Sequence, residues 1–432
     1  QIVTDQRFLN GLYEEVLDLY DSCQQTASET TFTQRLKACF PEFKYLEADD
    51  PGVSELRKRL TTTMLCIYWL VSDSYGEFIR GQDQNQLSEA SWIAIRAWLQ
   101  PMTDDPDIIC VVCAAIMVKA VCRIPKFQKQ QAKGILELRD VMKHVLQHCP
   151  KVLPSYQRLE EEDRNQLCDC LSHDVDLERF LNAESCPAGL GVLRKLAKLT
   201  DTPEVATRRS FDSLSLLLWT SFLELGGSMG HQSQEGSLYM TEEKWANFQI
   251  ARESLQKMYT EGRGEGEVYD LLLERRVEGF MPFGRDPESK AYARLACLAC
   301  IRNAADAEEI KKALACPEAL NAEERSRMIR YLTNGDTERH SVAEPEAAEE
   351  RTPTTHVEQP SLALIEATAF LEKARHNPEI GLVQAARILL RVYDAAAKEF
   401  HGVDAAMVRI NLTLLASFAS LFISSAKFQD VP

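Results

Sequence analysis

The segment Pro106–Arg123, PDIICVVCAAIMVKAVCR, most constrains how this chain can fold. Asp105 precedes it with a side chain that can accept backbone N–H bonds, and Pro106 suits the first helical position. Between Ile108 and Cys122, Lys119 is the main interruption of an apolar surface. A helix without a polar face must be covered on several sides. The eleven apolar residues Ile108–Val118 are too few for a bilayer, which needs about 20.

Helix signals recur along the rest of the chain. Start signals combine a capping side chain with Pro or a later Glu; they stand at Thr202-Pro203, Asp286-Pro287, Asp306 with Glu309, and Asn321 with Glu324. Glycines that end helices recur between them, and no segment alternates with period two. The pattern predicts an all-α fold, organised as an irregular HEAT/ARM-like α-solenoid array. No residue signature repeats at a fixed period, so the array is an architecture and not a named repeat.

Composition shifts divide the chain into five predicted segments. A polar Gly/Ser-rich stretch and an acidic Pro-containing stretch separate helical regions. The prediction is an N-terminal helical array at 1–225, a flexible loop at 226–240, a continuation of the array at 241–335, an acidic disordered linker at 336–360, and a C-terminal three-helix docking unit at 361–432.

The net charge and the cysteines limit which partners and which cellular compartment the sequence predicts. With 49 Lys and Arg against 65 Asp and Glu, the formal charge is −16, which repels nucleic acid and anionic membranes as a whole. The 13 Cys lie in apolar helical patterns, which predicts reduced thiols in the cytoplasm, the nucleus or the mitochondrial matrix. Because the chain starts with Gln1, we expect a processed or truncated N-terminus without its targeting segment. We expect no membrane span.

Two Cys-x-x-Cys pairs raise the question of metal or redox chemistry. The first is Cys110 with Cys113, and the second is Cys297 with Cys300 in RLACLACIR. Both pairs lie within helical apolar patterns, far apart in sequence, without the turns of a zinc knuckle or the strand and helix start of a thioredoxin motif. Since a buried thiol behaves as a small apolar side chain, we interpret both pairs as packing residues.

A second group of metal-ligand types is the weaker alternative for a zinc site. His144 and His148 are four residues apart on one helix, and Cys168, Cys170 and His173 follow in LCDCLSH. Antiparallel packing of the two helices would bring them together. The favoured interpretation is that they occupy ordinary helix ends, so the sequence predicts neither a bound metal nor a cofactor.

Basic residues concentrate in the middle of the chain. Between 119 and 151 eight Lys or Arg stand against Glu137 and Asp140. The residues predicted to contact a partner or RNA are Lys119, Arg123, Lys126, Lys129, Lys133, Arg139, Lys143, Lys151, Arg194, Lys195, Lys198, Arg208 and Arg209. A solvated helix surface is the simplest interpretation; an acidic protein or segment and an RNA backbone are the alternatives.

Three functions remain open from the sequence. The favoured one is a non-enzymatic α-helical scaffold or adaptor that binds several proteins of a stable complex through its helical faces. The alternative is an RNA-associated subunit of a ribonucleoprotein or of an organellar RNA-processing complex, which uses the segment 119–151. The third is an all-α enzyme with a site between helices. No Gly-x-Ser-x-Gly elbow or phosphate loop supports catalysis, and no small-molecule substrate is predicted.

Overall fold

The computed structural model is mainly helical over the residues it describes. These are 36–83, 85–135, 137–172, 177–193, 213–299 and 311–333, with gaps at 38, 48–49, 185–189, 192, 312–314 and 317, and then 365–366, 371, 383–391 and 410–411. The all-α class predicted from the sequence is confirmed. The HEAT/ARM-like repeat arrangement is not confirmed: the described helices have unequal lengths, and two 3₁₀ segments interrupt them.

Contacts divide the chain into two compact units, one formed by 1–175 with 192–249 and the other by 176–191 with 250–432. The first unit holds a 3₁₀ helix at Pro41–Glu47, another at Pro150–Val152, and the helices α1 (Pro51–Val71), α2 (Tyr75–Phe78), α3 (Glu89–Thr103), α4 (Pro106–Cys122), α5 (Pro125–Gln131), α6 (Leu138–His148), α7 (Pro154–Arg158), α8 (Glu161–Ser172) and α10 (Ser213–Gly227).

The second unit holds the remaining elements. They are α9 (Leu177–Leu181), α11 (Glu242–Thr260, whose residues before 250 belong to the first unit), α12 (Glu265–Val277), α13 (Pro287–Leu298), α14 (Ala322–Thr333) and two short parallel strands, β1 (Ile365–Glu366) and β2 (Ile410–Asn411). Within this unit α13 packs against α12 and α14. The strands were not expected from the sequence.

The predicted helix starts form as real caps where the structure describes them. The Asp105 carboxylate accepts from the backbone N–H of Asp107 at 2.9 Å. The reciprocal capping box of Asn321 and Glu324 is present, with bonds of 3.0 and 2.9 Å. Such caps satisfy N–H groups that have no partner inside the helix. The starts at Thr202-Pro203 and Asp306 lie outside the described residues.

Helix α4 forms the centre of the first unit, as its apolar surface requires. Every side chain from Ile108 to Cys122 is buried, and α1, α3, α6, α7, α8 and α10 all contact the helix. Among the described residues no single helix has the length and hydropathy to cross a membrane; α4 and α5 pass that test together, but a bend of 90° separates them.

The Gly/Ser-rich stretch 226–240 lies within the first unit. Gly227 ends α10 directly against Thr63 of α1, and Gly230 lies against Thr62 and the carbonyl of Lys58. Ser237 is fully buried and donates its hydroxyl to the Gly226 carbonyl at 2.9 Å. Within the stretch predicted as a flexible loop, these positions therefore pack closely against α1 and the end of α10. The predicted linker 336–360 lies outside the described residues, as does most of 361–432.

Candidate partner interface on the basic segment

Helix α5 is held to the first unit from one side. Phe127 is 1% exposed, and its ring meets the ring of Tyr45 at a centroid distance of 5.0 Å in an edge-on arrangement. Gln128 donates its side-chain amide to the Cys122 carbonyl at 2.8 Å, which ties α5 to the end of α4. These contacts fix the orientation of a helix too short to be stable alone.

The opposite side of α5 carries a cluster of exposed cations. Lys126 and Lys129 are three residues apart, so they share one side of the helix, and Lys133 is exposed in the turn that follows. We call Lys126, Lys129 and Lys133 the lysine face. Its residues were all predicted from sequence as partner contacts, and the structure places all three on the surface.

Further cations come from α6 and the 3₁₀ segment after it. Lys143 and Lys151 are exposed, and Arg139 is half-exposed at 3.8 Å from Asp140. The Cys149 thiol lies 4.0 Å from the Gln131 carbonyl, so the end of α6 meets the end of α5. The additional lysines thus belong to elements that adjoin the lysine face.

The charges of these lysines are not neutralised by any carboxylate that the structure describes. No described acidic group forms an ion pair with Lys126, Lys129, Lys133, Lys143 or Lys151. Neighbouring like charges repel one another and raise the energy of the isolated protein, an effect that a negatively charged partner would relieve.

Lys119 has a different role from the one predicted, and Arg123 shares its partner while staying exposed. Lys119 is 3% exposed and lies 2.6 Å from the Glu224 carboxylate, which also pairs with Arg123 at 3.0 Å. Burial opposes the charge of Glu224, but the two cations outweigh it and lower the pKa of the carboxyl below its ordinary value. Lys119 is therefore an interior residue that joins α4 to α10, and it does not belong to a contact surface.

The other predicted contact residues cannot be placed. Arg194, Lys195, Lys198, Arg208 and Arg209 all lie outside the described residues. Their proposed membership of a basic surface remains a prediction from the sequence.

The zinc alternative gains no support from the described side chains. Helix α6 packs against α8 as proposed, and the rings of His144 and His148 lie 4.9 Å apart. Cys170, however, is fully buried, while Cys168 lies near the Ser172 hydroxyl at 3.9 Å. Among the described residues no group of three or more His, Cys, Asp and Glu side chains could hold a metal ion. His173 lies outside this part of the chain.

The Cys-x-x-Cys thiols lie in the protein interior. Cys110, Cys113 and Cys297 are each at most 2% exposed, while Cys300 is outside the described residues. Burial raises the pKa of Cys110 to about 12 and that of Cys113 well above its ordinary value. Protonated buried thiols are poor nucleophiles and poor metal ligands, which agrees with a packing role.

Replacing Cys297 or Cys113 with Ala is expected to lower the free energy of unfolding by about 1 kcal/mol each, because only one buried sulfur atom is lost. Chemical unfolding and metal analysis of the purified variants would measure both consequences. Cys149→Ala, at a half-buried position, serves as the control and should cost less. Stoichiometric zinc that disappears with either buried substitution would contradict the packing role.

The sequence matches the family of unknown function DUF6829 over residues 54–432. The chain belongs to this family. No curated protein and no solved structure matches it. The matched range begins within α1 and contains the lysine face, the Glu224 ion pairs and the glycines that pack against α1.

Two buried charged groups of this family member were not found from the sequence. Arg294, the first residue of RLACLACIR, is 1% exposed and donates to the carbonyls of Ala183 and Leu332 at 3.0 Å each. Glu42 is fully buried and accepts from the Ser155 backbone N–H at 3.3 Å, so that it caps α7. Burial raises the pKa of the Glu42 carboxyl, and the Ser155 bonds offset part of this. Neither residue carries a local sequence signal, because its partners are distant in the chain.

Proposed function

We propose that this protein is a non-enzymatic α-helical scaffold or adaptor that binds other proteins through the exposed faces of an irregular helical array. The observation that carries the proposal is the lysine face. Its three lysines are exposed, and no described carboxylate pairs with them. The helix that carries Lys126 and Lys129 is held to the first unit by Phe127, which packs against Tyr45.

The placement of the other titratable groups agrees with this proposal. Asp50 and Asp286 cap helices, Glu224 neutralises buried Lys119, and Glu42 caps α7. Each of these groups stabilises its own unit through a helix cap or an ion pair. The lysines of α5 form no such contact with a described group, and an exposed charged surface of this kind is typical of a site that attracts and orients partners.

The first experiment compares partners recovered with the full chain and with a charge-reversal variant, with and without nuclease. We expect the variant Lys126→Glu, Lys129→Glu, Lys133→Glu to lose partners that the unmodified protein retains after nuclease treatment. The variant Lys257→Glu, Arg263→Glu, Arg285→Glu makes the same change in net charge in the second unit and should retain them. Circular dichroism of both variants would show that each is folded.

A recovered partner must then bind when both proteins are purified. A binding constant weakened about tenfold or more by the lysine reversal, and little changed by the control reversal, would support the proposal, since a few exposed charge pairs contribute about that much. Partners that disappear with nuclease would favour the RNA-associated alternative. Equal binding of the partners to both variants would show that the lysine face is not their binding site.

A further inference from the structure

We infer that the lysine face binds a short acidic segment of a partner protein, extended and rich in Glu and Asp. This inference rests on the proposed function and names the chemistry of its partner. Lys126, Lys129 and Lys133 are each exposed, and no described carboxylate forms an ion pair with any of them. A ligand for such a surface must supply negative charge.

The dimensions of the face suit a peptide. Lys126 and Lys129 are three positions apart in α5, which corresponds to roughly 4.5 Å along a helix at about 1.5 Å per residue. One to two residues of an extended chain span about the same length at about 3.3 Å per residue. Two neighbouring carboxylates would match these two ammonium groups, and a longer acidic segment would reach toward Lys133, Lys143 and Lys151.

The chemistry of the face favours carboxylates over nucleotide bases. Phe127 is the only Phe, Tyr or Trp between 119 and 151, and it is buried against Tyr45, so it is not available to stack on a base. Single-stranded nucleic acids are generally held by such exposed rings together with basic grooves.

A helix next to α6 carries negative charge. Helix α8 packs against α6, and its start presents the exposed acidic side chains of Glu160, Glu161 and Glu162. A long phosphate backbone that crossed this helix would meet like charges over part of its path, which costs binding energy. A short acidic segment of a protein can end before it reaches them.

The test uses the full chain and three labelled probes of about 20 residues or nucleotides in fluorescence anisotropy. The probes are a peptide in which Glu alternates with Ser and Ala, the same peptide with every Glu replaced by Gln, and a single-stranded RNA. We expect the Glu peptide to bind at least tenfold more tightly than the Gln peptide and the RNA. Raising the salt from about 50 mM to about 300 mM should weaken it strongly, because salt screens exposed charges.

The variants assign the binding to the face. Lys126→Glu, Lys129→Glu, Lys133→Glu should weaken Glu-peptide binding at least tenfold. Lys257→Glu, Arg263→Glu, Arg285→Glu should leave it within about twofold, and replacing the three face lysines with Arg should preserve it. Equal binding of the Glu and Gln peptides, or tighter binding of RNA that the Glu peptide cannot displace, would overturn the inference. If purified protein partners still require the lysine face while the Glu peptide fails, this inference falls and the proposed function stands.

Discussion

Replacement of Glu224 with Leu is expected to lower the free energy of unfolding of the first unit by about 3–5 kcal/mol. The cause is Lys119, whose side chain is 3% exposed and whose ammonium group lies 2.6 Å from the Glu224 carboxylate. Without that carboxylate a buried cation has no opposite charge, and the desolvation of the cation is no longer compensated. Arg123 loses its bond to Glu224 as well, but its side chain is 42% exposed and can be solvated by water.

Tryptophan fluorescence in a urea titration would measure this loss of stability for the first unit of the protein. All five Trp residues, at 69, 92, 98, 219 and 245, belong to the first unit. The double variant Lys119→Met, Glu224→Leu is the matched control, because it removes both buried charges and keeps similar volumes. It should recover most of the stability. A double variant no more stable than Glu224→Leu alone would show that packing around Glu224, and not the unpaired cation, causes the loss.

The same ion pairs predict how stability changes with pH. The folded protein holds the pKa of Glu224 below its ordinary value, so the folded state binds fewer protons at this site than the unfolded chain. Such a group contributes stability above its unfolded pKa, and the contribution is lost as pH falls through the folded pKa. The difference in stability between the unmodified protein and Glu224→Gln, measured by urea titration at several pH values, should therefore shrink on acidification.

The sequence predicted those parts of the fold that depend on near neighbours. The Asp105 cap, the Asn321–Glu324 capping box and the burial of α4 all follow from residues within a few positions of one another. The start of α1 is local in the same way: the Asp50 carboxylate accepts from the Val53 N–H at 3.1 Å, and Pro51 occupies the first helical turn.

The candidate site shows the same limit. Exposure of Lys126 and Lys129 could be predicted, because they occupy polar positions of a helix whose apolar side contains Phe127, and Lys133 lies in the polar turn that follows. The ion pair of buried Lys119 could not be predicted, because its partner Glu224 lies on a helix more than a hundred residues later in the chain. A lone cation on an apolar helix indicates that some acidic group must neutralise it. Which acidic group does so depends on tertiary packing.

The glycines that end α10 show a related limit of sequence interpretation. A polar stretch with Gly and Ser usually indicates a loop, and composition does not distinguish chain flexibility from close approach of two backbones. Here the absence of side chains lets α10 lie against α1, and the two helices form an extensive contact. Position 227 thus requires glycine because α10 and α1 lie so close together there. No local sequence pattern predicts that distance.

Replacement of Gly227 with Ala is accordingly expected to destabilise the first unit by about 3 kcal/mol or more, near the upper end of the cost of overpacking. A Cβ atom at this position would lie 2.5 Å from the Thr63 nitrogen and 2.7 Å from its Cα, and neither backbone atom can rotate away. Helix propensity alone predicts the opposite sign, since Ala is favoured over Gly by about 1 kcal/mol inside a helix.

Gly76→Ala in α2 is the matched control for Gly227→Ala, because its new methyl group would meet no other part of the protein within 4 Å beyond its own chain neighbours and helix backbone, and it belongs to the same unit. We expect its stability to stay within about 1 kcal/mol of the unmodified protein in the same fluorescence titration. If Gly227→Ala were as stable as Gly76→Ala, α10 would be able to move away from α1 at little cost. The 226–240 stretch would then behave as the flexible loop that its composition suggested.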